Sequence, residues 1–226
     1  MEKQYFLVID VETANSTNDA LVYDLGLAVT DRQGNIYETA SMVISDIFTD
    51  EAQLMNSAYY AEKIPSYHEG IQNHEFEVTN FYQARRFVIS IMEKYGIDTV
   101  AAYNAHFDNA ALNTTQRWLT KSKYRYFFPY GTKIICIWHM ACQVICTQKR
   151  YYKFCQNNNL VSPSGNIKTS AETVYAYITK NINFDESHTG LADVLIECQI
   201  MAKCFAQHKK MDKSVNRLCW KIPQNR

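Results

Sequence analysis

A chain of 226 residues with 47% hydrophobic and 13% aromatic side chains is long enough for one sizeable core and too apolar to be disordered. Its 23 Lys and Arg balance 23 Asp and Glu, so net charge gives no argument for a polyanionic partner. Seven cysteines without a disulfide-like rhythm, an N-terminal MEKQYFLVID unlike a signal peptide and no membrane-length apolar run predict a soluble protein of a reducing cytoplasm.

Residues 5–11 form a short apolar, β-branched run and predict a buried strand. Residues 21–30 and 35–44 predict two more, joined as a hairpin by the turn Asp31-Arg32-Gln33-Gly34. Thr79 is the expected N-cap of a helix over residues 80–95, where Phe81, Ala84, Val88, Ile91 and Met92 recur at helical spacing and Gly96 supplies the stop. A fourth strand follows at 99–103, a helix from about 109 to 119, a fifth strand at 133–137 and a helix over 138–147. Ser162-Pro163-Ser164-Gly165-Asn166 is turn chemistry. Thr169-Ser170-Ala171-Glu172 matches a capping box for a helix running to about Lys180, and a last helix spans about 187–207. The tail beyond Lys209 is polar apart from Leu218, Trp220 and Ile222. Strands that come first as a meander and then alternate with helices predict a mixed sheet flanked by helices, in one domain.

Three short motifs carry carboxylates. Asp10-Val11-Glu12 closes the first strand, and residues i and i+2 of a strand share a face. Two carboxylates side by side repel unless a cation or a shared proton relieves them, and hard oxygen ligands suit Mg²⁺ or Mn²⁺. Asn104-Ala105-His106-Phe107-Asp108 follows the fourth strand and puts Asp108 at a helix N-terminus, where an Asp ordinarily serves the helix dipole. His188-Thr189-Gly190-Leu191-Ala192-Asp193 opens the last helix, with both polar side chains able to reach one cleft. Taken singly, each motif reads as ordinary surface chemistry.

Together, in this order and over nearly the whole chain, Asp10 and Glu12, Asp108 with Asn104 and Phe107, and His188 with Asp193 resemble the DEDDh (DnaQ-like) 3′–5′ exonucleases, which include the proofreading exonuclease subunits of DNA polymerases. YFLVIDVETAN is typical of the first motif, and FDESHTGLADVLIE is similar to exonuclease-like proteins of bacteriophages.

The resemblance implies a ribonuclease-H-like α/β fold with a five-stranded mixed sheet. It implies two Mg²⁺ or Mn²⁺ ions held by Asp10, Glu12, Asp108 and Asp193, with Asp10 shared between them and His188 taking a proton from the attacking water. The product would be a nucleoside 5′-monophosphate, cut from a single-stranded DNA 3′ end held by the Thr13 and Ala14 backbone, Asn104 and Phe107. A DNA polymerase or replication complex is a further partner the resemblance allows, and no membrane is implied. RNA as substrate, in the manner of RNase T or oligoribonuclease, stays open because the sequence does not reveal 2′-OH contacts. So does a non-catalytic binding subunit.

Two departures stand out. Thr13 is followed by Ala14-Asn15, where the family often has a glycine. The interval from Asp108 to His188 is long, so residues 149–180 are expected to be an insertion in an exonuclease domain over 1–208, bordering the substrate groove or a partner site, with 209–226 a polar tail. Tyr59-Tyr60 and Tyr67-His68 lie where related exonucleases place a wedge beside the terminal base, though tyrosines also simply pack. The basic clusters at 85–86, 121–125, 149–153 and 209–213 read as solvated faces. The aromatics of KSKYRYFF add some chance of stacking on bases. Cys136, His139, Cys142, Cys146 and Cys155 are close enough to suggest zinc, but they lack a Cys-x2-Cys pair and sit in an apolar run, which favours buried thiols.

Overall fold

The computed structural model describes residues 3–224. In chain order the elements are β1 (Tyr5–Ala14), β2 (Leu21–Asp31), β3 (Ile36–Ile44), α1 (Ser45–Phe48), α2 (Ala52–Met55), α3 (Ile64–Gln72), β4 (Glu77–Thr79) and α4 (Phe81–Tyr95). They continue as β5 (Thr99–Ala102), α5 (Ala105–Thr120), β6 (Lys133–Cys136), α6 (Ile137–Val144), α7 (Lys149–Asn157), α8 (Ala171–Thr179) and α9 (Gly190–Phe205). Short 3₁₀ helices lie at Ala61–Lys63 and Cys219–Gln224.

The sheet has six strands in the order β4-β3-β2-β1-β5-β6. The first three form an antiparallel meander, β5 and β6 run parallel to β1, and β4 runs parallel to β3. The expected α/β architecture is therefore present, with one strand more than the five anticipated. The extra strand, β4, is three residues long and leaves Val78 exposed, so it carries no alternating pattern to read.

Alternation along β1 divides the core. Leu7, Ile9 and Val11 pack with residues of α4 and α5, while Phe6 and Val8 face the layer of α6, α7, α8 and α9. By the same alternation Asp10 and Glu12 point toward α9. Every residue of β2, the strand between β1 and β3, is buried.

Several boundaries differ from expectation for local reasons. Thr79 pairs with Ile44 as the end of β4, so Asn80 is the cap of α4 and accepts the Gln83 N–H at 2.9 Å; Gly96 ends that helix in the left-handed region, as predicted. Helix α5 starts at Ala105 rather than near 109, which puts Asp108 in its first turn. Ser170, not Thr169, caps α8; Thr169 instead accepts the Tyr103 hydroxyl on its carbonyl and the Trp138 Nε1–H on its own hydroxyl. Helix α9 starts at Gly190 because His188 is left-handed (φ 51°) and Thr189 extended. The Ser-Pro-Ser-Gly turn closes a small hairpin bridged between Val161 and Ile167.

After α9 the chain straps α6. The Lys213 carbonyl accepts the Cys136 N–H at 2.8 Å, the Ser214 carbonyl lies 2.8 Å from His139 Nδ1, and Cys219 and Pro223 are buried. Among the described residues no helix is long and apolar enough to cross a membrane.

Candidate active site

Strand β1 outruns its parallel neighbour. Pairing with β5 is confined to Leu7 and Val8, whereas pairing with β2 continues to Ala14, with a register shift after Glu12. Asp10 and Glu12 thus stand at the C-terminal end of the parallel strands, where open α/β sheets leave a crevice. The opposite edge of that crevice is the start of α5. There Asp108, in the first turn of the helix, is 3% exposed.

The third side is the N-terminus of α9, which comes very close to β2. A Cβ on Gly26 would meet the Gly190 carbonyl carbon at 2.0 Å, and one on Gly190 would meet the Gly26 nitrogen at 2.5 Å. Only backbone without side chains fits there. The buried Asp24 of β2 fixes the contact: its Oδ2 accepts the Gly190 N–H at 2.9 Å and the Tyr67 hydroxyl at 2.6 Å. This docking aims Asp193 into the crevice. His188 stands at its mouth with its ring stacked on Tyr60, centroids 4.2 Å apart and planes 14° apart. Lys63, on the same loop as Tyr60, donates to the Ser187 carbonyl.

The result is a cleft of 220 Å³ lined by Asp10, Glu12, Asn104, Phe107, Asp108, His188 and Asp193, together with Tyr60, Tyr103, Glu186 and Glu197. Thr13 and Ala14 continue β1 beyond the lining, Ala14 fully buried. Of the segment 149–180, Ala171 reaches the cleft. Ligand atoms of Glu12, His188 and Asp193 all lie within 4.8 Å of one another. His188 Nδ1 is 3.9 Å from Glu186 Oε2 and 4.0 Å from Asp193 Oδ2. A larger hollow of 610 Å³ between α7, α8 and α9 is lined by Arg150, Lys180 and Lys203 but by none of these acids.

Burial, reinforced by mutual repulsion, pushes the acids upward. Glu12 rises to about 9 and Asp193 to about 8, with Lys63 partly opposing both. Asp10, Asp108 and Glu197 are raised in the same direction by burial. Glu186 rises to about 7. Asp24 reaches only about 6, because the Tyr67 hydroxyl and Gly190 amide stabilise its charge. Burial and Lys63 lower His188, which keeps its imidazole neutral at pH 7. Asp193 Oδ1 and Glu197 Oε2 are buried without a hydrogen-bond partner among the described residues. Crowded hard oxygens with orphaned lone pairs fit a divalent cation of the Mg²⁺ or Mn²⁺ kind.

These shifts set a pH dependence. The folded carboxyls keep their protons to higher pH than the unfolded chain, so between about pH 4.5 and 9 the native state binds more protons and stability falls as pH rises. The lowered His188 works in the opposite sense, but it is one group against several. Melts in EDTA are expected to give a lower Tm at pH 9 than at pH 5, and added Mg²⁺ to recover more at pH 9. A Tm that climbs across this interval in EDTA would contradict the crowding.

Sequence reasoning passed over Asp24, Glu186, Glu197 and Lys63. Asp24 is the cross-strand partner of Glu12, and Glu197 lies four residues after Asp193 on one helix. Both signals exist in the sequence, but they acquire meaning only once register and helix face are fixed. Of the tyrosines singled out, Tyr60 faces the cleft and Tyr67 is buried packing. In KSKYRYFF, Phe127 and Phe128 are core while Tyr124 and Tyr126 are exposed. Cys136, Cys142, Cys146 and Cys155 are all buried.

Crevice and sheet order together define a ribonuclease-H-like α/β fold, and the solved structures of that fold include exonucleases. Exonuclease I of E. coli, in complex with a 5cy-dT13 oligonucleotide, is 13% identical with a TM-score of 0.51, over 88% of this chain and 40% of that one. Exonuclease I from Methylocaldum szegediense is 16% identical with a TM-score of 0.52, over 92% of this chain and 41% of that one. At such identity the likeness establishes the fold, and this chain spans about two-fifths of the length of either enzyme. No protein-family model and no curated protein matches the chain.

Proposed function

We propose that this chain is a divalent-metal-dependent 3′–5′ exonuclease of the DEDDh type, releasing nucleoside 5′-monophosphates from the 3′ end of single-stranded DNA. The observation that carries the proposal is convergence: Asp10, Glu12, Asp108, His188 and Asp193 come from three separate stretches of sequence and line one small cleft. The oligonucleotide-bound Exonuclease I of the same fold supports DNA as the substrate class. Residues 1–208 would form the catalytic domain, with 149–180 as its insertion and 209–226 as a tail.

Asp10, Glu12, Asp108 and Asp193 would hold the cation. When bound, it supplies a water of lowered pKa and offsets charge growing on the phosphate. The neutral His188 imidazole accepts the proton of the attacking water while Tyr60, stacked against it, fixes the ring. Oxygen of that water bonds to phosphorus, the bond to the 3′ oxygen breaks, and that oxygen leaves to be protonated. Asn104 offers an amide to the terminal sugar and Phe107 an apolar wall to its base.

The test is incubation of 5′-labelled single-stranded DNA, duplex DNA and RNA with Mg²⁺ or Mn²⁺. A descending ladder on DNA is expected, and cleavage confined to internal bonds would end the exonuclease reading. His188→Ala should lower kcat by about 10²- to 10⁴-fold, the usual contribution of a positioned general base, and leave cation binding in place. Unchanged turnover in that variant would remove His188 from the role.

A further inference from the structure

The balanced total charge conceals a division along the chain. Residues 1–108 hold 17 Asp and Glu against 6 Lys and Arg, and residues 109–226 hold 6 against 17. The stretch 109–171 contains no Asp or Glu at all. Folding makes this division spatial, because α6, α7, α8 and α9 together cover one face of the sheet. From residue 137 onward 12 Lys and Arg stand against 6 acids, and three of those acids, Glu186, Asp193 and Glu197, line the cleft. Outside the cleft this layer is therefore strongly basic, and charge asymmetry of that kind points to a polyanion.

The 610 Å³ hollow between α7, α8 and α9 gathers that charge. Arg150 of α7, Lys180 at the end of α8 and Lys203 of α9 all line it. All three are exposed, no acid lines the hollow, and none of the ion pairs among the described residues involves them. A concavity lined by one sign of charge focuses its potential on a ligand of the other sign. Phe154 and Tyr177, edge to face with centroids 5.4 Å apart, add aromatic surface to the same lining. Tyr177 is held in place, its hydroxyl donating to Gln148 Oε1 at 3.2 Å, and Gln148 Nε2 donates to Gln207 Oε1 at 3.1 Å. Helices α8 and α9 join the two sites. Ala171 and Asp193, near their starts, line the cleft, and Lys180 and Lys203, near their ends, line the hollow. From Asp193 to Lys203 the rise along α9 is about 15 Å. At about 3.4 Å or more per phosphate, about four nucleotides of single strand bridge that distance.

Resting on the exonuclease reading above, we infer that this hollow is a second binding site for the substrate strand, taking single-stranded nucleic acid upstream of the 3′ end that enters the cleft. Phosphates meet Arg150, Lys180 and Lys203, and bases meet Tyr177 and Phe154. Phosphate contacts position a strand without reading its sequence, so the site selects for length of strand rather than composition.

The experiment is fluorescence anisotropy of labelled dT20 in EDTA over a salt series, followed by steady-state turnover of the same strand in Mg²⁺. Wild type is compared with a hollow variant carrying Arg150→Gln, Lys180→Gln and Lys203→Gln. A control carrying Lys3→Gln, Arg86→Gln and Lys94→Gln makes the same change of charge elsewhere on the surface. The hollow residues are exposed, so glutamine leaves the core untouched. The hollow variant is expected to raise Kd by about tenfold or more. It should also lower the slope of log affinity against log salt by about two, three phosphate contacts at roughly 0.7 each. In turnover it should raise KM and keep kcat, while the control keeps the wild-type slope. Wild-type Kd and slope in the hollow variant, or an equal loss in the control, would overturn the inference and leave the exonuclease reading standing. The expected binding pattern in a protein that releases no nucleotide in Mg²⁺ or Mn²⁺ would uphold the site and overturn the exonuclease reading.

Discussion

Asp10→Asn should silence the enzyme and, in cation-free buffer, make the protein more stable. Asp10 is central to the cleft: the charges of Asp108, Glu197, Glu12 and Asp193 all act on it. A cation held there works by stabilising charge that develops in the transition state, so losing the carboxylate that anchors it is expected to lower kcat/KM by about 10²- to 10³-fold or more. The amide is isosteric and β1 is clamped on β2, so the fold should survive. Its stability should rise because one buried charge has left a repelling group, the usual trade between a site built for function and a site built for stability. The check pairs steady-state nuclease assays with melts in EDTA and in Mg²⁺. Near-normal turnover would remove Asp10 from the centre of the mechanism, and a lower Tm in EDTA would show that its charge is satisfied by something other than a cation.

How much was legible in advance follows from which interactions are local. Strands β1, β2 and β3 and helices α4 and α9 could be read to within a few residues: the helices bury one face whose apolar period reports it, and β1 and β2, packed on both faces, stand out as near-continuous apolar runs. The acids Asp10, Glu12, Asp108 and Asp193 could be named because they lie at strand ends and helix starts in a recognisable order. Their convergence could not be derived from spacing. It depends on β1 outrunning β5 and on α9 lying against β2, and both are long-range facts. The helices between β3 and β4 were missed because α1 and α2, at four residues each, carry no period and the nine-residue α3 buries only Tyr67 and Gly70; yet that region supplies Tyr60, Lys63 and Tyr67, which hold His188, the Ser187 carbonyl and Asp24. Glu197 was missed for a different reason. On a helix whose neighbouring positions Ile196 and Cys198 are core, a glutamate reads as an ordinary helix-forming residue until its burial is known.

Gly26→Ala should disable the protein without touching substrate. The new methyl would stand 2.0 Å from the Gly190 carbonyl carbon and 2.2 Å from the Leu191 nitrogen, and both are backbone atoms that cannot rotate away. Helix α9 must then lift from β2, stretching the bond from the Gly190 N–H to Asp24. Overpacking of this kind typically costs about 1–3 kcal/mol. For a chain of this length that corresponds to a Tm lower by roughly 2–12 °C. The larger effect is on the site, because His188 and Asp193 travel with the helix while Asp10 and Glu12 stay with the sheet. A displacement of about 1 Å between halves of a catalytic constellation can cost about 100-fold in rate. Gly190→Ala presses on the same contact from the other side, at 2.5 Å from the Gly26 nitrogen. The two substitutions relieve one another's remaining freedom, so their combined loss of stability should be less than the sum of the single losses. Melting curves and nuclease assays on the two single variants and the double variant decide it. Full activity in Gly26→Ala would mean that α9 docks with more slack than the glycine contact allows, and would separate the geometry of the cleft from the packing that sets it.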